Sequence, residues 1–413
     1  MFNLPNILHK NPESEPSFLV LDLGSSYIKA AVFSRLSETK LSLLGYSRQF
    51  QAENAVREGM LIDIAAVAGR AEEVIEEVSV AAGLKPEKVI IGLSGAAVQE
   101  FLTQIKITRE APESILEESE LSKISQKVRE ASFLEVEKEL TDISGSTQLE
   151  AEIVDSRLSN FKVDGYDLEE PLGFTGKVLE ISLRNTVAPR VYLERLRALL
   201  KLLKISEYRC IGQLSALTRV IAGPDKKINT LLADIGGEKT DIAVVFGGQL
   251  IGSRSWGVGG SHLTQLIRDR LMVSYSEAET EKISYLQGQP AGEHLPAVKD
   301  AVHAFISLWL AGLETALSDF SGVKTFPNRF VLSGGGSILP ELSGRLAAFP
   351  WTSILPFRDC PKIIPVSLSS TDSFLENHSS HILGDWDLLP LALGFTGLQE
   401  NRERSSVDAF FRT

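Results

Sequence analysis

Two stretches of the chain repeat one pattern of apolar and polar positions. In each, an apolar run ends on an aspartate, a small polar tip follows, and a second apolar run returns. The first stretch has a strand at 18–22, a stop at Gly24, a Ser-Ser-Tyr turn and a strand at 28–33. The second begins at Leu231 as LLADIGGEKTDIAVVFGGQLIGSRSW, with a glycine-rich turn between β-rich arms. Such arms around a small-residue tip predict β-hairpins. Their likeness, at 19–33 and 231–246, predicts an internal duplication and hence two lobes of related topology.

The periodicity elsewhere fills in the lobes. Leu61, Ile64, Val67, Ala71, Val74, Ile75 and Val78 recur at helical spacing over 61–82, and 89–93 reads as a buried strand ending at Gly95. From about 97 to 187 the pattern changes. A strand at 98–107 leads into a long acidic helix with one apolar stripe, Leu121, Ile124, Val128 and Ala131. Strands near 148–164 and 177–184 follow, joined by a Gly/Pro-containing turn at 164–176. This is a small α+β module inserted into the first lobe, because a helix at 189–203 then resumes α/β patterning.

Beyond the second hairpin the pattern predicts helices at 262–286 and 297–320, a strand at 329–332, a triple glycine at 334–336 and a helix at 339–348. Residues 350–386 are Pro/Ser-rich and read as loop, and 388–398 as a final helix. The expected organisation is a leader at 1–17, a first lobe at 18–96 and 188–228, the insertion at 97–187, a second lobe at 229–398 with a helical subdomain near 262–325, and a tail at 399–413.

Composition narrows the class. With 413 residues, 43% hydrophobic and 23% charged, the chain is long enough for two or three cores. No run approaches the roughly 18–20 uninterrupted apolar residues of a spanning helix, and Pro5 interrupts a first segment too short for a signal peptide. Cys210 and Cys360 stand far apart, which suits a reducing cytoplasm. Six scattered histidines form no HExxH motif, so no zinc site is expected. The formal net charge of −12 opposes capture of nucleic acid, which needs a concentrated basic face.

Candidate chemistry sits at the two tips. In Asp22-Leu23-Gly24-Ser25-Ser26, Gly24 lets backbone N–H groups approach phosphate oxygens, and Ser25 and Ser26 add donors. Asp22 suits Mg²⁺, which keeps most of its waters and takes one or two carboxylates. A tight turn with an incidental aspartate is the plainer alternative. Asp234-Ile235-Gly236-Gly237 repeats the arrangement, and Thr240-Asp241 extends the polar tip. Two such loops facing across a cleft could clamp a polyphosphate. Gly334, Gly335 and Gly336 form a strand-to-helix turn of the kind that admits close ligand approach.

With these motifs in order, the sequence resembles the actin/Hsp70/sugar-kinase superfamily. DLGSSYIKAAV is similar to its first phosphate motif, DIGGEKTDIAV to its second and VLSGGGSILPEL to its adenosine motif. Within it, the chain resembles the bacterial actin-like ATPase family of the cell-division protein FtsA and the pilus-assembly protein PilM. Val163-Asp164-Gly165, Pro171-Leu172-Gly173 and Gly176-Lys177-Val178-Leu179-Glu180 resemble the strand pair of that family's inserted subdomain. The resemblance implies a two-lobed α/β, ribonuclease H-like ATPase fold with a small SHS2-like insertion. It implies ATP and Mg²⁺ as cofactors, with Asp22 and Asp234 holding the metal through water. Gly24, Ser25, Ser26, Gly236, Gly237, Lys239 and Thr240 would face the phosphates. The EAETEK stretch gives Glu279 and Lys282 beside the adenosine, with Gly334, Gly335 and Gly336; a solvated helix face is the alternative for the two charges.

The chain also departs from the family pattern. Glu238 and Lys239 stand where relatives carry small residues; Glu238 would repel a phosphate unless turned outward, and Lys239 could compensate. Where relatives place a Glu or Gln that orients the attacking water, this chain has Gly212, with Gln213 one residue on. Slow or absent hydrolysis is therefore expected, with Gln213 the candidate catalytic residue. The segment between Tyr285 and Val298 is short for an FtsA relative. The resemblance implies a cytoskeletal scaffold that self-associates into filaments and recruits a tubulin-like division protein at the inner membrane. A component of type IV pilus or type II secretion assembly is the alternative, with a pilus-assembly partner. A third reading is a small-molecule kinase with Asp241 as the base, and a fourth a nucleotide-binding module without hydrolysis. Membrane contact would fall to Val407, Phe410 and Phe411, or to Phe2, Leu4, Ile7 and Leu8. The insertion is expected to serve contacts between proteins.

Overall fold

A computed structural model describes residues 17–400 except 96–97, 145–149, 169, 224–226, 290–291 and 321. Phe2, Leu4, Ile7 and Leu8, and Val407, Phe410 and Phe411, lie outside the described residues. The first hairpin is β1 (Phe18–Leu23) and β2 (Tyr27–Arg35), extended by β3 (Leu41–Phe50). A short ribbon, β4 (Val56–Arg57) and β5 (Met60–Leu61), precedes α1 (Ile64–Ala82) and β6 (Val89–Leu93). Next come β7 (Gln99–Thr108), α2 (Glu118–Ser144), β8 (Ala151–Val163), β9 (Tyr166–Asp167) and β10 (Val178–Pro189). The chain continues through α3 (Arg190–Leu202), β11 (Tyr208–Gly212) and α4 (Gln213–Ala222).

The second hairpin is β12 (Thr230–Ile235) and β13 (Thr240–Phe246), extended by β14 (Gln249–Trp256). Helices α5 (Gly260–Leu271), α6 (Tyr275–Leu286) and α7 (Leu295–Ser318) follow. The rest is β15 (Arg329–Ser333), α8 (Pro340–Ala347), the single turn α9 (Trp351–Ile354), β16 (Lys362–Pro365), β17 (Leu375–Asn377) and α10 (Leu388–Glu400).

Strand alternation builds the layers. The first sheet has the order β11-β6-β1-β2-β3-β17 and the second β16-β15-β12-β13-β14-β7-β10-β8-β9. Successive side chains of a strand point to opposite faces. Leu19 and Leu21 therefore pack outward beneath α1 and α3, with Val67, Val74, Leu193 and Leu196. Phe18 and Val20 point the other way, into a core shared by both sheets. Leu232, Ala243 and Val245 of the second hairpin enter that same core, and Leu217 of α4 and Leu391 of α10 fill it. The opposite face of the second hairpin, Leu231, Ala233, Ile242 and Val244, packs on α5, α7 and α8.

Three features differ from the sequence reading. The helix expected over 262–286 divides in two, since Met272 takes a left-handed φ of 54°. Ser274 then opens α6 with a capping box, its N–H donating to the Glu277 carboxylate at 2.8 Å and its Oγ accepting from Glu277 N at 3.2 Å. The expected second lobe at 229–398 also needs correction at its end. Strand β17 pairs in parallel with β3, and α10 lies on α4 and the first sheet, so the chain returns to the first lobe before it closes. Helix α7 is long and apolar enough to cross a membrane by length and composition, yet Phe305, Ile306, Trp309 and Leu313 are buried in the second lobe's core.

The module between β6 and α3 has its own core, Leu121, Ile124 and Val128 of α2 on Ile105, Ile181 and Leu183. In chain order it interrupts the first lobe, but in space its sheet continues the second. Strand β7 pairs with β14 at Phe101–Gly252, covering what would otherwise be an open sheet edge. Glu100, the neighbouring residue on β7, is buried and reaches the first lobe. Its carboxylate accepts the N–H groups of Leu214 and Ser215 at 3.1 Å each, and a hydroxyl bond from Ser215. These are donors left over at the start of α4, which lacks a side-chain cap of its own. A Cβ on Gly212 would collide with that carboxylate, which gives the glycine a structural cause.

Burial pushes the Glu100 carboxyl up to about 7, against the bonds from Ser215 and Leu214 and the charge of Arg184. The folded state therefore holds this proton more tightly than the unfolded chain, and the group's contribution to stability falls as pH rises from about 4.5 to about 7. Urea unfolding across that window should show a downward slope with pH that is shallower in Glu100→Gln. Parallel pH profiles for the two proteins would refute the placement of this carboxyl.

Candidate functional site

The shared core ends in a cavity. Along β1 the alternation that sends Val20 between the sheets sends Asp22 there too, two residues on. On β12 Leu232 is followed likewise by Asp234, and Asp241 of β13, with Lys239 just before that strand, precedes Ala243 on its face. The residues so aligned line a cavity of about 540 Å³ between the lobes. Asp22, Gly24, Ser25, Ser26, Gln213, Asp234, Gly236, Gly237, Lys239 and Asp241 all face it. So do Glu279, Lys282, Gly334, Gly335 and Gly336.

Thr240 is the exception among the expected phosphate contacts. Being one residue out of phase, it points to the opposite face of β13. Its hydroxyl donates to Val258 O at 2.7 Å and accepts from Trp309 Nε1 at 2.9 Å. It is a core-packing residue, and its assignment to the ligand is corrected accordingly.

The tips of the two hairpins meet. A Cβ on Gly237 would run into the Ser26 hydroxyl and come within 2.7 Å of Ser25 Oγ, so only glycine permits this approach. Glu238 N donates to Ser25 Oγ at 3.1 Å, and the Glu238 carboxylate accepts Glu58 N at 2.9 Å. Glu238 is thus turned out of the cavity and binds the turn between β4 and β5. The second tip is also tied to α5: Gly260 N donates to Gly236 O at 2.9 Å, and Ser261 N to Gly237 O at 2.7 Å. The 3₁₀ turn Gly335–Ile338 lies against the end of β12 at Ile235 and Asp234.

One end of the cavity is an apolar slot between α5, α6 and the 3₁₀ turn, formed by Leu263, Ile283, Leu286, Ile338 and Leu339. Glu279 and Lys282 stand in it as an ion pair at 2.7 Å. Thr264 Oγ1 donates to Glu279 at 2.6 Å and accepts from Lys282 Nζ at 2.9 Å, so both charges are fixed in place. A solvated helix face would leave them free; Lys282 is buried.

The floor is acidic. Burial raises the Asp22 carboxyl, partly offset by Lys29, by a bond from Gln213 Nε2 at 3.1 Å, and by Lys239. Burial pushes Asp234 up to about 6, with further repulsion from Asp241, its partner across the β12–β13 register. Gln213, first residue of α4, therefore does face the cavity, held against Asp22. Gly212 does not, since its flank is filled by Glu100.

The sequence reading missed Lys29, Arg48 and Trp386, which line the first-lobe side. Lys29 Nζ donates to Trp386 O at 2.6 Å and lies 3.9 Å from the buried Asp387. Arg48 sits between the rings of Tyr27 and Trp386 at 5.4 and 5.5 Å. Counting the hairpin register would have found Lys29, because the four residues from Gly24 to Tyr27 between the paired Leu23 and Ile28 set it opposite Asp22. Trp386 lies in a segment read as loop and carried no such signal.

A family model described as cell division protein FtsA matches residues 231–300, from the second hairpin into the start of α7. The chain is 25% identical over 350 residues to the cell division protein FtsA of Streptococcus pneumoniae, covering 79% of this chain and 72% of the relative. It is 22% identical over 383 residues to that of Rhizobium meliloti, covering 84% and 83%. Among solved structures, it is similar to a chain of a PilM–PilN type IV pilus biogenesis complex, with a TM-score of 0.65 at 18% identity over 94% of this chain and 99% of that one. The ethanolamine utilization protein EutJ from Carboxydothermus hydrogenoformans aligns with a TM-score of 0.50 at 12% identity over 93% and 91%. The fold is the actin-like, two-lobed α/β fold that the motifs predict.

The bond from Glu58 N to Glu238 joins the two lobes directly. Hydrogen bonds to a charged acceptor contribute about 1.5–3 kcal/mol, so Glu238→Ala should speed hydrogen exchange at the Glu58 amide by roughly tenfold or more. Unchanged exchange there would show that the carboxylate does not hold the lobes together.

Proposed function

We propose, on the premise that the chain belongs to the bacterial actin-like family of FtsA and PilM, that it is an ATP-binding scaffold of cell division whose nucleotide state governs self-association and partner recruitment. The observation that carries this is the convergence, in one interlobe cavity, of both aspartate hairpins, the triple glycine and the Glu279–Lys282 pair. The polyphosphate would lie along the hairpin tips, where the hydroxyls of Ser25 and Ser26 supply donors. The adenosine would enter the apolar slot, with Glu279 and Lys282 beside it.

Asp22 and Asp234 suit a magnesium ion held through its waters, an all-oxygen donor set of one or two carboxylates. Among the described residues no cluster of three or more His, Cys, Asp or Glu side chains forms a full protein cage. Magnesium, when bound, would neutralise developing phosphate charge. Gln213 would orient the attacking water, but its amide is already bonded to Asp22, which favours slow turnover.

The kinase reading is weakened by Asp241. Its carboxylate is engaged by the Lys239 ammonium and the Ser255 hydroxyl, whereas a general base needs free reach to the acceptor's proton. The pilus or secretion reading shares the fold, and fold alone does not separate it from division. Among the described residues the module at 98–189 contributes no side chain to the cavity. That favours a role for it in contacts between subunits or with a tubulin-like division protein, at the cytoplasmic face of the inner membrane. A depletion strain that forms undivided filaments would support division; normal division with loss of surface pili would support the alternative.

Two measurements address the site. Asp22→Ala and Asp234→Ala should each weaken Mg–ATP binding by about tenfold or more in calorimetry, a change of roughly 1.4 kcal/mol. Unaltered affinity in both would remove the phosphate assignment. Turnover should stay well below the roughly 10 s⁻¹ of a median enzyme and fall further in Gln213→Ala. A wild-type rate of tens per second, or one insensitive to that substitution, would show that another group positions the water.

A further inference from the structure

Gln213 reaches the cavity from a seat that several elements build. Its side chain lies against Gly92 of β6, where a Cβ would come within 2.9 Å of Gln213 Nε2. That amide donates to Asp22 Oδ1 at 3.1 Å. The backbone beneath it is held from elsewhere. Gln213 opens α4, and Gly212 before it supplies no side-chain cap. The N–H groups of the next two residues, Leu214 and Ser215, donate instead to the two oxygens of Glu100, at 3.1 Å each. The Ser215 hydroxyl adds a third bond. A carboxylate that receives the free N–H groups of a first turn is a charge-assisted cap, stronger than a neutral one.

The cap belongs to a strand of the second sheet. Glu100 N donates to Ser253 Oγ of β14 at 2.9 Å, and the Ser253 hydroxyl donates back to Glu100 O at 3.2 Å. Glu100 is therefore fixed to one lobe's sheet while its carboxylate holds the first turn of the other lobe's helix. Gly212, lacking a Cβ, restrains that turn little by itself, and the Glu100 carboxylate fills the space at its side. The carboxylate is buried. Arg184 on β10 faces it with a positive charge, α4 presents the Ser215 hydroxyl, and β14 presents Ser253 to its backbone.

We propose that Glu100 is a positioning residue for Gln213: its carboxylate fixes the first turn of α4 and thereby aims the Gln213 amide into the cleft. The consequence for turnover rests on the reading of Gln213 as the residue that orients the attacking water; the positioning itself does not. A misplacement of about 1 Å can lower a rate by about 100-fold, so a carboxylate that touches no ligand can still govern turnover. Only the ionised form accepts freely at both oxygens. Burial pushes this carboxyl up to about 7, so the cap is complete above that pH and weakened below it. Glu100→Gln replaces one accepting oxygen with a donating NH₂ and mimics the protonated form at every pH. The plainer alternative is that Glu100 supports folding stability alone.

Two readouts on the full chain separate these. The first is steady-state Mg–ATP turnover against pH in wild type, Glu100→Gln, Gln213→Ala and the double variant. At about pH 8, Glu100→Gln should lower kcat by about tenfold while KM changes by less than about threefold. The two proteins should converge as pH falls below about 7, and Glu100→Gln should have no further effect once Gln213 is alanine. The second is the NMR signal of the Gln213 side-chain amide, assigned by its loss in Gln213→Ala. It should differ between wild type and Glu100→Gln at the higher pH and coincide at the lower. A kcat within about twofold of wild type at about pH 8, or amide signals that never differ, would overturn the proposal and leave Glu100 a structural cap. If Glu100→Gln does not fold, Ser215→Ala, which removes one of the bonds to the carboxylate, should move kcat and the amide signal the same way by less; no change in either would overturn it. Absence of turnover in wild type would bring down the water-orienting reading of Gln213, and the amide comparison would then decide the positioning by itself.

Discussion

The structure depends on one geometric constraint: successive residues of a strand face opposite ways. Applied to two facing hairpins, it assigns every residue of β1, β2, β12 and β13 either to an outer helical layer or to the space between the sheets. Most of the inward positions are apolar, and Val20, Ala31, Leu232, Ala243 and Val245 join α4 and α10 in a shared core. The last inward positions are charged, and there the core opens into the cavity. Core and site are one face, continued. A one-residue slip in either hairpin would bury its aspartate against the helices and turn its valines into the cleft.

Close approach at the tips follows from that arrangement. Because α4 and α10 set the distance between the sheets, the tips meet, and Gly237 leaves no side chain between them and the hydroxyls of Ser25 and Ser26. Carboxylates gathered on such a floor are expensive to ionise. Burial raises Asp22 and pushes Asp234 up to about 6, and lysines are recruited to hold both down. The charge pattern answers the packing.

Glu100 links this machinery to the inserted module. It sits on β7, beside the residue that pairs with β14, and its backbone N–H donates to Ser253 Oγ at 2.9 Å. Its carboxylate caps the helix whose first residue, Gln213, touches Asp22. The module contributes no lining residue among those described, yet it holds the helix that carries one. That buried carboxylate adds a polar link between α4 and the second sheet to the apolar packing of Leu217 on Leu232, Ala243 and Val245.

Much of this was legible in the sequence because it is local. Apolar alternation interrupted by aspartate and glycine marked both hairpins, their recurrence marked the two lobes and the cavity residues Asp22, Ser25, Asp234 and Gly236, and the triple glycine after a strand marked Gly334. Phase along a strand is also local, so Lys29 and the outward turn of Thr240 follow from counting the register. Other features required the tertiary structure. Glu238 lies next to the cavity in sequence, but Glu58 N, 180 positions away, draws it out. Glu100 became a helix cap only when β7 was laid beside α4. Trp386 came to the cleft because the chain returns through β17 to the first sheet. These placements depend on which distant donor satisfies which buried polar group, and no periodicity along one segment encodes a partner on another.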